Sequence, residues 1–376
     1  MILKSVKLRI KIKRVLNLVL FWVFAGIFFT IIEYLLIHPA AEIYNIENLT
    51  TAVHIYSYDF WRSISETILA AIIAGLSIGA FEIFYFQDYF RTKPFGYTVF
   101  IKSLIYSFAM VVLIIVGLLF DQSFNTSKSI FHLDVIKGVA IYLSGSGVWA
   151  FVIYWTAIVI LTQIFILMRD SFGYGVLPNF ILGRYNKPKE ERRIFMFLDI
   201  KSSTTIAEKL GHIQYHNLLN DFFDDINDSI IFTKGEIYQY IGDEITVSWT
   251  VENGIENENC LRCFFSIGDK IESNSARYME RFGLVPDFKA GLHCGNVTIG
   301  EVGVIKKEIV FTGDVLNTAA RIEGLCNTYD VRLLVSRKLL DLLQIENRYK
   351  KNVIAEIILR GKKTKNILYT IERIES

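Results

Sequence analysis

Two acids stand where the local pattern gives them chemical potential. Asp199 ends an otherwise apolar run, Phe195-Met196-Phe197-Leu198-Asp199. Asp243 lies in a Gly242-Asp243 turn between two stretches, Glu236–Ile241 and Glu244–Trp249, that read as a hairpin. Neither adjoins a basic residue in sequence. Brought together by a fold, they would make an oxygen-ligand pair suited to Mg²⁺ or Mn²⁺, ions that share their shell with phosphate. Taken singly, each has a plainer reading: Asp199 as the cap of a helix starting near Ser203, Asp243 as a turn residue. Further along, Gly313-Asp314-Val315-Leu316-Asn317-Thr318-Ala319-Ala320-Arg321 puts Asn317 and Arg321 four residues apart on one helix face. An amide and a guanidinium so aligned can hold a ribose ring and a phosphoryl group.

The elements that must position these residues follow from the pattern. A buried strand, Ile194–Asp199, leads into Lys201-Ser202-Ser203-Thr204-Thr205, which offers hydroxyl caps to a helix reaching about Ile231. After the hairpin come a helix over about 256–282 and strands over about 287–294, 296–302 and 307–311. A further helix opens at Gly313-Asp314 and runs to Leu325. The order is that of an α+β, ferredoxin-like (palm-like) layer, with helices expected on one sheet face. In such a sheet the first strand and the hairpin are central neighbours, which brings the two carboxylates together. The cysteines, Cys260, Cys263, Cys294 and Cys326, all lie in this half. No second pair or set of histidines at ligand spacing accompanies Cys260-x-x-Cys263, so reduced, buried thiols are expected rather than a zinc site.

The other half is different. The chain averages 52% hydrophobic residues, but up to about residue 170 long apolar runs dominate. Four are long enough for a hydrocarbon core, which takes about 20 helical residues: about 15–37, 64–86, 100–120 and 139–168. Together they predict an all-α transmembrane region over 1–168. In the last run, Ser144-Gly145-Ser146-Gly147 is expected to pack closely within an unbroken helix. Glu33 and Glu82 fall near span ends, where snorkelling is cheap. Basic residues decide orientation. Lys4, Lys7, Arg9, Lys11, Lys13 and Arg14 precede the first run, Arg91 and Lys93 follow the second, and Arg169, Arg184, Lys187, Lys189, Arg192 and Arg193 follow the fourth. Both termini are therefore expected on the cytoplasmic side of the cell (inner) membrane, with the lipid bilayer as a partner and the leading stretch a span rather than a signal peptide. A formal net charge of +2 gives no support to nucleic-acid binding. Residues 169–193, punctuated by Gly173, Gly175 and Pro178, read as a short coupling segment ahead of a cytosolic domain at 194–376.

Taken in order, Phe197-Leu198-Asp199-Ile200-Lys201-Ser202-Ser203-Thr204, Tyr240-Ile241-Gly242-Asp243, Gly291-Leu292-His293-Cys294-Gly295 with Gly300, and Gly313-Asp314 with Asn317 and Arg321 resemble the class III adenylyl and guanylyl cyclases over roughly 177–372. Leu177-Pro178 also looks like the short element ahead of the domain in many membrane-bound members. The resemblance implies conversion of a nucleoside triphosphate to its 3′,5′-cyclic nucleotide and pyrophosphate. It implies two Mg²⁺ or Mn²⁺ ions per site, held by Asp199, Asp243 and the carbonyl of Ile200. Amides about Ser202, Ser203 and Thr204 would cradle phosphates, Asn317 would place the ribose, and Arg321 would steady charge on the α-phosphorus. Each site would draw its aspartates from one subunit and its Asn/Arg pair from the other. One chain holding both sets then implies a homodimer.

Base choice stays open between alternatives. By the resemblance, ATP-selective members carry lysine where Gln239 stands and Asp or Thr where Val310 stands; guanylyl members carry Glu and Cys. Gln239 both donates and accepts, and Val310 removes one hydrogen-bond partner. ATP is favoured, with guanylyl or pyrimidine-nucleotide cyclisation as alternatives. Lys365 is only near the place of a lysine that meets the triphosphate in some members. A diguanylate cyclase is disfavoured because Ile241 replaces the second glycine of that signature. A catalytically silent nucleotide-sensing module is the alternative of another class.

Overall fold

The computed structural model describes residues 2–44, 60–90, 93–172, 183–305, 307–345, 348–358 and 365–374. Arg91, Gly173, Gly175, Leu177 and Pro178 lie outside the described residues. The chain divides into two compact units, Met1–Ser171 and Phe172–Ser376.

The first unit is helical: α1 (Ile2–Tyr44), α2 (Phe60–Phe81) passing through a π-helical turn Glu82–Phe86 into α3 (Gln87–Phe90), α4 (Phe95–Thr126), α5 (Leu133–Ser144) and α6 (Ser146–Phe172). Among the described residues three stretches are long and apolar enough to cross a membrane, Lys11–Leu35, Phe60–Phe86 and Phe95–Phe124, and Val152–Met168 is a shorter apolar one. The unbroken fourth run expected from sequence is interrupted: Gly145 is extended (φ −76°, ψ 147°) and ends α5. Close packing falls instead to Gly75 of α2, where a Cβ would stand 3.0 Å from the Val19 Cα of α1, the approach that small residues permit between apolar helices. Glu82 does not snorkel. It is 2% exposed and accepts from Lys102 Nζ and from the Tyr106 hydroxyl, each at 2.6 Å, while the Lys102 ammonium also lies over the Phe90 ring. A buried acid needs such partners, because unpaired it would forfeit its hydration for nothing.

The second unit begins with β1 (Lys189–Ile200), followed by α7 (Ser203–Leu210) and α8 (His212–Phe232), then β2 (Glu236–Ile241) and β3 (Glu244–Thr250). The single helix expected from Ser203 to Ile231 is split at Gly211, whose φ of 74° suits glycine. Helices α9 (Val251–Ile255), α10 (Asn259–Ser273) and α11 (Ser275–Phe282) come next, with a 3₁₀ turn at Glu256–Glu258. The remainder is β4 (Phe288–Val302), β5 (Glu308–Thr312), α12 (Asp314–Gly324), β6 (Leu333–Ser336), α13 (Arg337–Leu340), β7 (Tyr349–Ile358) and β8 (Lys365–Arg373). The two strands expected at 287–294 and 296–302 are one continuous strand, β4.

Among the described residues, eight strands form one sheet of order β2-β3-β1-β4-β6-β8-β7, with β5 paired to β4. β1 is central because both its faces are apolar. Ile194, Met196, Leu198 and Ile200 pack with Leu218, Phe222 and Ile226 of α8 and Phe264 and Ile267 of α10. On the other face Phe195 and Phe197 meet Val315 and Ala319 of α12 and Phe311 of β5. The helix bearing Asn317 and Arg321 therefore lies opposite the others, not on a shared face as expected. Gly291 and Gly295 of β4 make room for it: a Cβ on Gly291 would fall 2.3 Å from the Glu323 amide nitrogen, and one on Gly295 2.5 Å from Val315 Cγ2. All four cysteines are free and buried.

Candidate active site

Asp199 closes β1, and the carboxylate of Asp243 reaches it from the β2–β3 turn, close enough for the two to hydrogen-bond. That turn is tight because Gly242 takes a φ of 64°. The expected meeting of the two acids is thus realised. The helix-cap reading of Asp199 is not: Ser202 holds the N-cap position of α7 and makes no side-chain cap bond.

Sequence reasoning missed the cation that bridges Asp199 to Glu323. Asp199 has Lys289 of β4 as its cross-strand partner, and Lys289 Nζ lies 3.3 Å from Asp199 Oδ2 and 2.8 Å from Glu323 Oε1. Lys289 and Glu323 are each 6% exposed. The signal was available in kind, since Lys289 interrupts Phe288-Lys289-Ala290-Gly291-Leu292 as Asp199 interrupts its own strand. What sequence could not give was the pairing of residues ninety positions apart.

The charges are unbalanced. Burial, then the hydrogen bond and charge of Asp243, then Glu323, push the Asp199 carboxyl up to about 7 against the opposing pull of Lys289. Glu244 is raised to about 7 by burial, Glu323 and Asp243. Burial works against the Lys289 ammonium, but Glu323 and Asp199 outweigh it and hold its pKa above the usual lysine range. Two carboxylates forced together in partial burial are an oxygen donor set that gains from a hard divalent ion. The residues present therefore fit Mg²⁺ or Mn²⁺, with Asp199, Asp243 and the chain at Ile200 as the candidate holders.

At the mouth of the strand, Ser202 adopts a left-handed conformation (φ 56°) that starts α7. Ser202 and Thr204 are exposed and Ser203 half-buried, and Ser203 hydrogen-bonds Tyr215. Asn317 and Arg321 lie on the exposed face of α12, while Glu323 on its buried side reaches Lys289. Gln239 stands opposite Thr246 in the β2–β3 pair, and Val310 opposite Gly300 in the β4–β5 pair. These two strands meet through Tyr238 and Phe311, whose rings lie 4.8 Å apart. Lys365 is committed to an exposed ion pair with Glu356 at 3.5 Å.

The sequence model describing the adenylate and guanylate cyclase catalytic domain matches residues 185–373. Adenylate cyclase 2 of Rhizobium meliloti (strain 1021) is 36% identical over 178 residues, covering 47% of this chain and 49% of that protein. Adenylate cyclase 1 of the same organism is 31% identical over 148 residues, 38% of this chain and 22% of that protein. The chain thus spans about half or less of the length of these curated relatives. A bacterial light-regulated adenylyl cyclase shares the fold with a TM-score of 0.52 at 21% identity, over 61% of this chain and 66% of that one. Through residues 185–373 the chain belongs to the adenylate and guanylate cyclase catalytic domain family.

Proposed function

We propose that this chain is a membrane-anchored nucleotidyl cyclase that acts as a homodimer and converts a nucleoside triphosphate, ATP foremost, to its 3′,5′-cyclic nucleotide and pyrophosphate. The observation that carries the proposal is the meeting of Asp199 with Asp243 at the end of β1, on a domain whose Asn317 and Arg321 face outward from α12. A second subunit across that face would complete two equivalent sites, the arrangement a twofold axis gives.

In the reaction the ribose 3′-oxygen bonds to the α-phosphorus, its proton passes to solvent water, and the bond from the α-phosphorus to the bridging oxygen breaks, that oxygen leaving with its electron pair as part of pyrophosphate. Two Mg²⁺ or Mn²⁺ ions bound by Asp199, Asp243 and the Ile200 carbonyl would supply an acidified 3′-hydroxyl and charge neutralisation on the triphosphate. The protein supplies placement. The amides of Ser202, Ser203 and Thr204 at the start of α7 hold phosphate oxygens. Asn317 orients the ribose, and Arg321 stabilises the charge that builds on the equatorial oxygens. Lys289, its cross-strand partner, keeps Asp199 in register. In-line displacement asks mostly for positioning and electrostatics, so this inventory suffices.

ATP is supported by the adenylate cyclases among the relatives; Gln239 and Val310 leave room for guanine, which is the second reading. Residues 1–168 would anchor the enzyme by their apolar helices, 169–193 would couple anchor to catalyst, and 194–376 would carry catalysis. Both termini would be cytoplasmic, by the basic residues flanking the runs. The test is a product assay on the full-length protein with Mn²⁺ and ATP, GTP, CTP or UTP in turn, read by mass spectrometry. A cyclic product that disappears in Asp199→Ala supports the reading; no cyclic product from any nucleotide with a folded dimer overturns it.

A further inference from the structure

The β2 strand carries an irregularity that decides where Gln239 points. Its pairing with β3 runs Glu236 to Ser248 and Ile237 to Val247, then skips to Gln239 opposite Thr246 and Tyr240 opposite Ile245. Tyr238 is the extra residue of a β-bulge. Strict alternation would place Glu236, Tyr238 and Tyr240 on one face and send Gln239 to the other. The bulge shifts the pattern by one. Thr246 and Ser248 of β3 pair with Phe197 and Phe195 of β1, the residues that face α12 and β5. Gln239 shares their face, while Tyr240 is turned to the opposite one, where its ring meets Phe223 of α8 at 4.7 Å.

The bulged residue is itself tied down. The Phe311 amide of β5 donates to the Tyr238 hydroxyl at 3.3 Å. Within the described pairings β5 is hydrogen-bonded along its length to β4 alone, so this bond fastens its free side to β2. Phe311 is gripped as well by Phe195 at 5.4 Å in an edge-on contact and by the Arg193 guanidinium over its ring at 5.0 Å. Arg193 is fixed in turn by Glu236, by Glu191 at 3.2 Å and by Ser248 at 3.1 Å. The neighbour of Tyr238 is Gln239 and the neighbour of Phe311 is Val310. One hydroxyl–amide bond therefore spans the gap between the two positions that would frame a nucleotide base.

We propose that Tyr238 is a positioning residue for base selectivity, setting the separation of Gln239 and Val310 through its bond to Phe311. The proposal rests on the cyclase reading and on Gln239 and Val310 flanking the base. A purine that needs one donor–acceptor pattern is rejected in another only if the groups that read it are held at fixed spacing. Loosening the tie lets the strands breathe and the pocket accept both purines.

The experiment uses full-length protein with Mn²⁺ and the non-cyclisable 3′-deoxy-ATP and 3′-deoxy-GTP, whose dissociation constants are measured by titration. Tyr238→Phe removes the hydroxyl and keeps the ring, and Phe311→Leu loosens the contact from the other strand. Tyr238→Phe is expected to lower the ratio of the two affinities about fivefold, the worth of one hydrogen bond, and Phe311→Leu, which keeps the donating amide but removes the ring contact that seats it, to lower it in the same direction. A merely structural role would weaken both nucleotides alike and leave the ratio where it was. Gln239→Ala separates the two levels of the argument. If it changes the ratio while Tyr238→Phe and Phe311→Leu do not, the role of Tyr238 is overturned and the pocket stands. If none of the three changes it, or the wild-type protein binds both analogues equally, the base-reading assignment falls together with the proposal.

Discussion

Replacing Gly291 by alanine tests how the helix bearing Asn317 and Arg321 is held. The added Cβ would stand 2.3 Å from the Glu323 nitrogen and 2.7 Å from both the Ala319 oxygen and the Glu323 Cα. All three are backbone atoms of α12, so no side-chain rotation can relieve them. Restoring ordinary carbon contacts of about 3.5 Å requires the helix to lift from β4 by about 1 Å. Such overpacking costs about 1–3 kcal/mol of stability, but its larger effect is on chemistry. Asn317 and Arg321 ride on the same helix, and a displacement of about 1 Å lowers a position-dependent rate by about 100-fold. The assay is kcat with Mn²⁺-ATP on the full-length protein, alongside its Tm. Gly268→Ala in α10 is the control, because the nearest atom to its Cβ, Phe288 Cζ, is at 3.9 Å. A Gly291→Ala enzyme that keeps kcat within threefold of wild type, by that same positional argument, would refute the claim that α12 must seat on a bare β4 backbone.

Other perturbations probe the charges. Lys289→Met leaves Asp199 and Glu323 without the ammonium they share. It should cost the metal-free protein about 3–5 kcal/mol, read by denaturant melts, and less when Mn²⁺ is present; an equal loss in both would count against a shared cation role. Burial, reinforced by Asp243 and Glu323, raises Asp199 and Glu244 to about 7 when folded, against about 4 when unfolded. The folded state then binds the extra protons between those values, so metal-free stability should fall as pH rises from about 4 to about 7 and level off above. A metal-free Tm that climbs across that window would contradict the assignment. In the helical unit, Glu82→Gln strands the buried Lys102 and should destabilise the detergent-purified protein by about 3–5 kcal/mol. The double variant Glu82→Leu, Lys102→Met should recover most of it, and failure to recover would show that the pair is not what those residues stabilise.

Much of the catalytic domain was legible because its chemistry interrupts its patterns. Asp199 breaks an apolar strand, Asp243 sits in a turn that only a tight hairpin needs, and Asn317 with Arg321 repeats at helical spacing. These are local signals, and the fold places each on the element expected of it. What escaped was non-local or one residue wide. The Asp199–Lys289 contact depends on a strand pairing far apart in sequence, and the Lys289–Glu323 bridge on which face of the sheet α12 covers. The bulge at Tyr238 leaves no compositional trace, because Tyr and Gln both sit acceptably in a strand. The side of the sheet taken by α12 follows from Gly291 and Gly295, whose missing side chains matter only once a helix lies on them. In the helical unit the break at Gly145 went against an apolar run that gave no reason to stop, whereas the pairing of Glu82 needed knowledge of which helix faces it.

The proposed composite active site is tested most directly by mixing two variants. Asp199→Ala removes one of the two aspartates proposed to hold metal and Arg321→Ala removes the guanidinium, and each alone should be silent. Co-expressed in equal amounts as full-length chains, they should regain about a quarter of the wild-type cyclase rate, since about half the dimers are mixed and each mixed dimer holds one intact site. A mixture as silent as its components, with mixed dimers demonstrated by tagged pull-down, would show that each subunit builds its site alone and would contradict the shared-site mechanism.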